Sequence, residues 1–186
     1  MTVEKINASE SATSFVVRGA SSSESVNAEG VYTVTCVGPD GQEKWQDTFE
    51  NTVTTVGKNA LLNVFFATGA LGAGSTTWYM GLTNSAPTTS AGDTMASHAG
   101  WAEKTGYSES TRPAVTFQTA SSGSKTTSAN SSFSITGTAT IGGAFIANNS
   151  TKGESSSTLY SVGAFTVGDK FVSAGDTINV TYTASA

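Results

Sequence analysis

The chain has 186 residues, a formal net charge of −5 and a charged fraction of only 12%. An acidic chain whose basic residues are scattered singly lacks the footprint that neutralises phosphates, which excludes a nucleic-acid binder. A single cysteine, Cys36, excludes an intrachain disulfide framework and with it any signature of an oxidising compartment.

The hydrophobic fraction is 37%. Low hydrophobicity alone does not mean disorder, which normally pairs it with high net charge. The polar content here is Ser and Thr, which pair well on β surfaces. The composition therefore predicts a β protein with neutral, hydroxyl-rich faces. Such faces suit packing against neighbouring subunits, because little charge has to be desolvated. The N-terminus shows no apolar h-region, and no run of 18 apolar residues occurs. The expectation is a protein made and folded in a cytosol, with no membrane partner.

Residues 1–29 read as an extended arm, rich in Ser, Ala and Glu, and residues 30–186 as the body. The arm has one compact apolar patch, Phe15-Val16-Val17, followed by Arg18. Such a segment cannot bury enough surface to hold itself; it becomes ordered by lying on a partner. This points to an assembled state.

Residues 30–56 read as a β-hairpin. Val31 to Val37 alternates, Pro39-Asp40-Gly41 is a turn signal, and Lys44 to Val53 returns. Cys36 shares a face with Tyr32 and Val34 and reads as a small buried residue rather than a reactive thiol. Trp45 and Phe49 share a face, with Trp45 expected across from Val34 or Tyr32.

The only helical apolar pattern follows. A helix is predicted over about 57–68, with Asn59 as cap, Leu61, Leu62, Phe65 and Phe66 as a core-facing stripe, and Gly69, Gly72 and Gly74 as its stop. Residues 76–83 read as a central strand. Residues 84–114 form a long irregular insertion of a kind that is usually functional or an interaction surface. Within it Asp93 is placed as the cap of a short helical turn, and Trp101 and Tyr107 as anchors.

Strands then recur at Val115–Thr119, Ser132–Thr138, Ala139–Ala147, Thr158–Val167 and Thr177–Thr183, separated by turns at Ser122-Gly123, Asn148-Asn149, Lys152-Gly153, Gly168-Asp169 and Gly175-Asp176. Short strands at this spacing predict an all-β fold, a two-sheet β-sandwich or jelly roll with one short α-helix.

Chemistry is sparse. His98 is the only histidine, with Ser97 beside it, Asp93 five back and Cys36 far away, and no nucleophile elbow accompanies it. It reads as a loop histidine making a structural hydrogen bond. Asp93, Glu103 and Glu109 share the long loop, so a carboxylate pair for sugar hydrolysis is conceivable among them, but 14 acidic residues make chance pairs common. One His and one Cys serve zinc poorly, and Asp169 and Asp176 sit beside glycines as turn residues do. No P-loop or dinucleotide fingerprint occurs. Trp78, Tyr79, Trp101 and Tyr107 could form a sugar platform, but read better as core or subunit-contact aromatics. The reading is of a protein with no catalytic residues, cofactor or metal.

The segments NTVTTVGKNALLNVFF, STTWYMGL, AGDTMASHAGWAE, YSESTRP, FSITGTATIGGAFI and TLYSVGAFTVGDKFVSAGDTINVTYT, in this order from about Tyr32 to Thr183, resemble a family of small structural proteins of tailed bacteriophages. The resemblance implies a non-enzymatic virion component and identifies no binding residue. Together with the arm and the neutral faces it leads to the expectation of a capsid decoration (cement) protein on the outer capsid surface. Its partners would be the major capsid protein and further copies of itself, as a dimer or trimer. Phe15, Val16, Val17 and Arg18 on the arm, with Trp101 and Tyr107 on the body, are the expected contacts. The alternative is a tail or head fibre module that binds host glycan through exposed aromatics of the 84–114 loop.

Overall fold

The computed structural model describes residues 28–65 and 77–185, with side chains 62–65 also outside the description. Nearly all of the arm assigned to 1–29, the Gly69-to-Gly74 stop and Phe66 therefore lie outside the described residues, as do the side chains of Leu62 and Phe65.

Among the described residues the fold is all-β with one short helix, and two antiparallel sheets face each other across a core. The first sheet is built on β1 (Glu29–Val37), β2 (Glu43–Glu50) and β13 (Thr177–Ser185). β1 lies in the middle, with β2 on one side and β13 on the other. The far edge of β13 is shared by β7 (Ser124–Thr126) and β8 (Ser131–Ser134). Alternation sends Tyr32, Val34 and Cys36 inward, each 0% exposed, so the expected face is the one observed.

The β1–β2 turn bonds Gly38 N–H to the Gln42 carbonyl at 2.8 Å, with Gly41 at φ 79°. This turn, with a bulge between Cys36 and Val37, sets a register different from the one expected. Trp45 lies opposite Cys36, while Tyr32 faces Phe49 and Val34 faces Asp47. Trp45 and Phe49 do share a face, and both rings meet the edge or face of Phe165, at 5.5 and 5.2 Å.

The second sheet runs β3 (Thr52–Val53), β11 (Leu159–Ala164), β10 (Gly143–Ala147) and β4 (Trp78–Thr83). β5 (Glu103–Lys104) and β6 (Ala114–Val115) share the far side of β4, which makes β4 central as expected. Ala144 and Ile146 of β10 face the first sheet, whereas Phe145 and Ala147 face the other way, into a second cluster with Met95, Trp101, Leu159 and Val162. Burial on both faces explains the near-continuous apolar runs of β4 and β10. The 84–114 segment is thus a packing layer over the second sheet. Gly81 makes room for this layer: a Cβ there would lie 2.1 Å from the Phe145 ring opposite it.

The expected strand Ala139–Ala147 is two strands. β9 (Ala139–Ile141) pairs with β12 (Lys170–Val172) in a separate ribbon, and the chain changes partner at Gly142. A Cβ on Gly142 would sit 1.8 Å from the backbone of Ser85 and Ala86, so only glycine allows the crossing. Val115–Thr119 shrinks to β6 and a bridge from Phe117 to Thr127, and Thr158–Val167 ends at Ala164 because 166–168 form a turn.

The helix α1 spans Thr55–Phe65. Its cap is Thr54, whose Oγ1 accepts the Gly57 N–H at 3.0 Å, and not Asn59, which lies within the helix. Leu61 is 46% exposed, so it does not join a core-facing stripe. Helix and sheet touch through Gly57, where a Cβ would meet the Tyr160 carbonyl oxygen at 2.4 Å. Gly57→Ala gains up to about 1 kcal/mol of helix propensity, but the contact is with backbone of a packed strand and cannot yield cheaply. We expect a net loss of about 1–2 kcal/mol in urea unfolding, with the exposed neighbour Lys58→Ala within about 0.5 kcal/mol of wild type.

Candidate assembly surface

The residues that could have carried chemistry are committed elsewhere. Arg112, 1% exposed, forms a two-pronged pair with Glu103, at 2.9 and 2.8 Å. It also donates to the carbonyls of Asn149 and Glu154, and its guanidinium lies 5.2 Å from the Phe145 ring centre. Lys152 donates to the Tyr107 and Glu109 carbonyls at 3.1 and 2.6 Å and stands 4.1 Å from the Tyr107 ring centre. These two cations tie the loop before β6 to the loop after β10.

Glu109 accepts the Ser134 N–H and hydroxyl, and Asp93 accepts the Ser90 N–H at 3.0 Å. Asp93 therefore belongs to a turn with a Thr94–Ser97 bridge, not to the helical turn expected there. Each of the three carboxylates is engaged by a different partner: Asp93 by Ser90, Glu103 by Arg112 and Glu109 by Ser134. His98 stacks on Trp101 at 3.7 Å between ring centres, and its buried Nδ1 has no hydrogen-bond partner among the described residues, so the expected structural bond is not seen. Among the described residues no three His, Cys, Asp or Glu side chains cluster to hold a metal ion. No described helix is long and apolar enough to cross a membrane.

Of the expected contact residues, Phe15, Val16, Val17 and Arg18 lie outside the described residues. Trp101 and Tyr107 are corrected: they are 7% and 4% exposed. Trp101 packs on Phe145 and His98, and Tyr107 edges onto Phe133 at 4.9 Å. Both anchor the long loop from inside, so neither is on a surface that a subunit or a sugar could touch. Trp78, half-buried, leans on Tyr160.

Cys36 lies in the core, 3.7 Å from Asp176 Oδ2, and burial first, then the Asp176 charge, pushes its thiol up to about 11. It is neutral at pH 7 and inert as a nucleophile. Asp176 is itself 1% exposed and accepts Lys44 Nζ at 2.7 Å and the Ser173 N–H at 2.8 Å. It joins the β1–β2 turn to the turn before β13, a role beyond the simple turn residue expected.

The outward face of the first sheet is different in kind. Its centre carries Thr33 and Thr35 on β1, flanked by Thr48 and Gln46 on β2 and by Thr181 and Asn179 on β13. The polar groups bond sideways across the strands. Thr33 and Thr48 hydroxyls lie 3.2 Å apart, and Gln46 Nε2 donates to Thr35 Oγ1 at 3.3 Å. Thr126 and Thr183 lie 3.0 Å apart, and Ser132 Oγ donates to Asn179 Oδ1 at 2.6 Å. The charged residues Glu29, Glu43, Lys44 and Glu50 stand towards the ends and outer edge of β1 and β2, and Glu109 bonds Ser134 at the β8 edge. The residue-by-residue signal was present in the period-two threonines of TVTC and NVTYT; what it lacked was the knowledge that these strands are neighbours.

Comparison with protein-family models, curated proteins and solved structures finds no match to this chain.

Three outcomes are expected. Arg112→Leu leaves the largely buried Glu103 carboxylate without its counter-charge and should lower unfolding free energy by about 3–5 kcal/mol in urea titration. Native Cys36 should resist a thiol reagent at pH 8 and react once the protein is unfolded in guanidinium. Burial raises the Asp176 carboxyl, but the Lys44 ammonium and the Ser173 N–H outweigh it and leave it below the usual carboxylate range. That contribution is present above the unfolded value of about 3.9 and is lost as pH falls through the lower folded value. Lys44, raised by the same contact, loses its share only as pH rises through its elevated folded value. Thermal melts of Asp176→Asn should therefore fall below wild type at pH 7 and converge with it towards pH 2.

Proposed function

We propose that the chain is a non-enzymatic structural protein of a bacteriophage virion, a decoration protein that binds the outer capsid and stabilises joints between major capsid subunits. The observation that carries the reading is the outward face of the first sheet, uncharged at its centre and bonded within itself. A face whose hydroxyls already hold one another can be dried with little loss of hydrogen bonds, and its burial costs no charge desolvation. Among the described residues, four of the seven cations are held by internal partners: Arg112 by Glu103, Lys152 by carbonyls, Lys44 by Asp176 and Lys170 by Asp47. The order of segments resembling tailed-phage structural proteins supports the same reading. The glycan-binding alternative depended on exposed aromatics in the 84–114 loop, and both Trp101 and Tyr107, the aromatics of that loop, are buried.

In this reading residues 1–27 reach over a neighbouring subunit, with Phe15, Val16 and Val17 as the apolar anchor, and many weak contacts repeated by symmetry give avidity. Because β1 begins at Glu29, an arm deletion must stop at Asn27 to leave the sheet intact. Quantitative mass spectrometry of purified virions should find this chain in hundreds of copies per particle, the range that icosahedral repetition demands. The chain lacking residues 1–27 should melt as a folded body but fail to co-sediment with capsids. Roughly a dozen copies or fewer, or normal capsid occupancy of the truncated chain, would sink the decoration reading.

A further inference from the structure

We infer that the outward face of the first sheet is a self-association surface, on which a second copy of this chain packs face to face about a twofold axis. The inference rests on the structural-assembly reading above and names its partner.

Area, charge and chemistry carry it. The face is four strands across and up to nine residues long, or roughly 20 by 30 Å at ordinary strand spacings, about 600 Å² per copy. Two copies would bury about 1,200 Å², the lower end of stable interfaces. The chain carries a net charge of −5, so two copies repel wherever acidic groups meet. The centre of this face carries no charge, and its acidic groups Glu29, Glu43 and Glu50 stand at the rim. Self-pairing across a twofold axis needs a surface complementary to itself. A neutral array of groups that both donate and accept meets that condition in a way that a single-signed surface cannot.

The lateral pairs decide between a packed and a merely wet face. Thr33–Thr48, Thr35–Gln46, Thr126–Thr183 and Asn179–Ser132 each satisfy part of their hydrogen bonding without water. Removing water from them leaves few orphaned donors. Short Thr and Ser side chains also allow two sheets to approach closely, with methyl groups of Thr in contact and hydroxyls bridging.

The test is sedimentation velocity on the full chain over a wide concentration range, with wild type beside Thr33→Glu/Thr181→Glu. The wild type is expected to dimerise. The double variant sets like charges against each other near the axis and should raise the dissociation constant by about a hundredfold or more. Thr48→Glu, at an exposed position towards the sheet edge, is the second variant should the first fold poorly, and should weaken the dimer in the same direction. A wild type that stays monomeric at millimolar concentration overturns the inference, as do variants that melt normally and dimerise like wild type. Co-sedimentation with capsids separates the two readings. Capsid binding by a wild type found monomeric would overturn the self-pairing and leave the decoration function standing. A dimer that the variants dissociate but that never binds capsids would support the self-pairing and remove the function.

Discussion

The antiparallel pairing of β1 with β13 is the contact on which the molecule depends. Nine residue pairs, from Glu29↔Ser185 to Val37↔Thr177, join segments about 150 residues apart. The ladder makes the centre of the first sheet, and every other strand of that sheet hangs on it. It also assembles the core rings. Tyr32 meets Tyr182 at 4.7 Å and Phe49 at 5.4 Å, and the Tyr32 hydroxyl is 2.6 Å from Ser161 in the opposite sheet. Closing so long a loop is costly and slow, so the sandwich has no native core until the two ends of the body have met.

Charge has a consistent place in this fold. Each ion pair among the described residues joins segments that are separate in the sequence: Arg112 with Glu103 and Glu154, Lys44 with Asp176, Lys170 with Asp47. Loops without regular structure must have their backbone groups satisfied, and the cations supply this by donating to carbonyls as well as to carboxylates. Four of the 9 basic residues are engaged in this way, and none of the four stands at the centre of the first sheet's outward face.

The sequence was read correctly where a residue's neighbours in the chain decide its environment. Period-two alternation put Tyr32, Val34 and Cys36 on one buried face, and the turn glycines Gly41, Gly153, Gly168 and Gly175 do adopt positive φ. It was misread where a distant segment decides. Trp45 lies opposite Cys36 because a bulge shifts the ladder. Ala139–Ala147 is broken at Gly142 because the 85–86 backbone crosses there. Leu61 is exposed because the helix meets the sheet through Gly57 instead. Arg112, the largest fully buried side chain, gave no signal in the stretch YSESTRP, since its partners come from residues 103 and 149–154.

By itself the sequence determined the all-β class, the hairpin and its turn, the short helix, the inertness of the lone cysteine and the hydroxyl-rich character of the faces. These follow from composition and from periodicities of two and 3.6, which are properties of a local stretch. Only the tertiary structure decided that the 84–114 segment is a packing layer, that Trp101 and Tyr107 are interior, and that threonines from three strands form one neutral face. Those outcomes depend on which strands become neighbours, and strand adjacency is set by the β1–β13 closure and the two-sided burial of the second sheet, not by any local pattern.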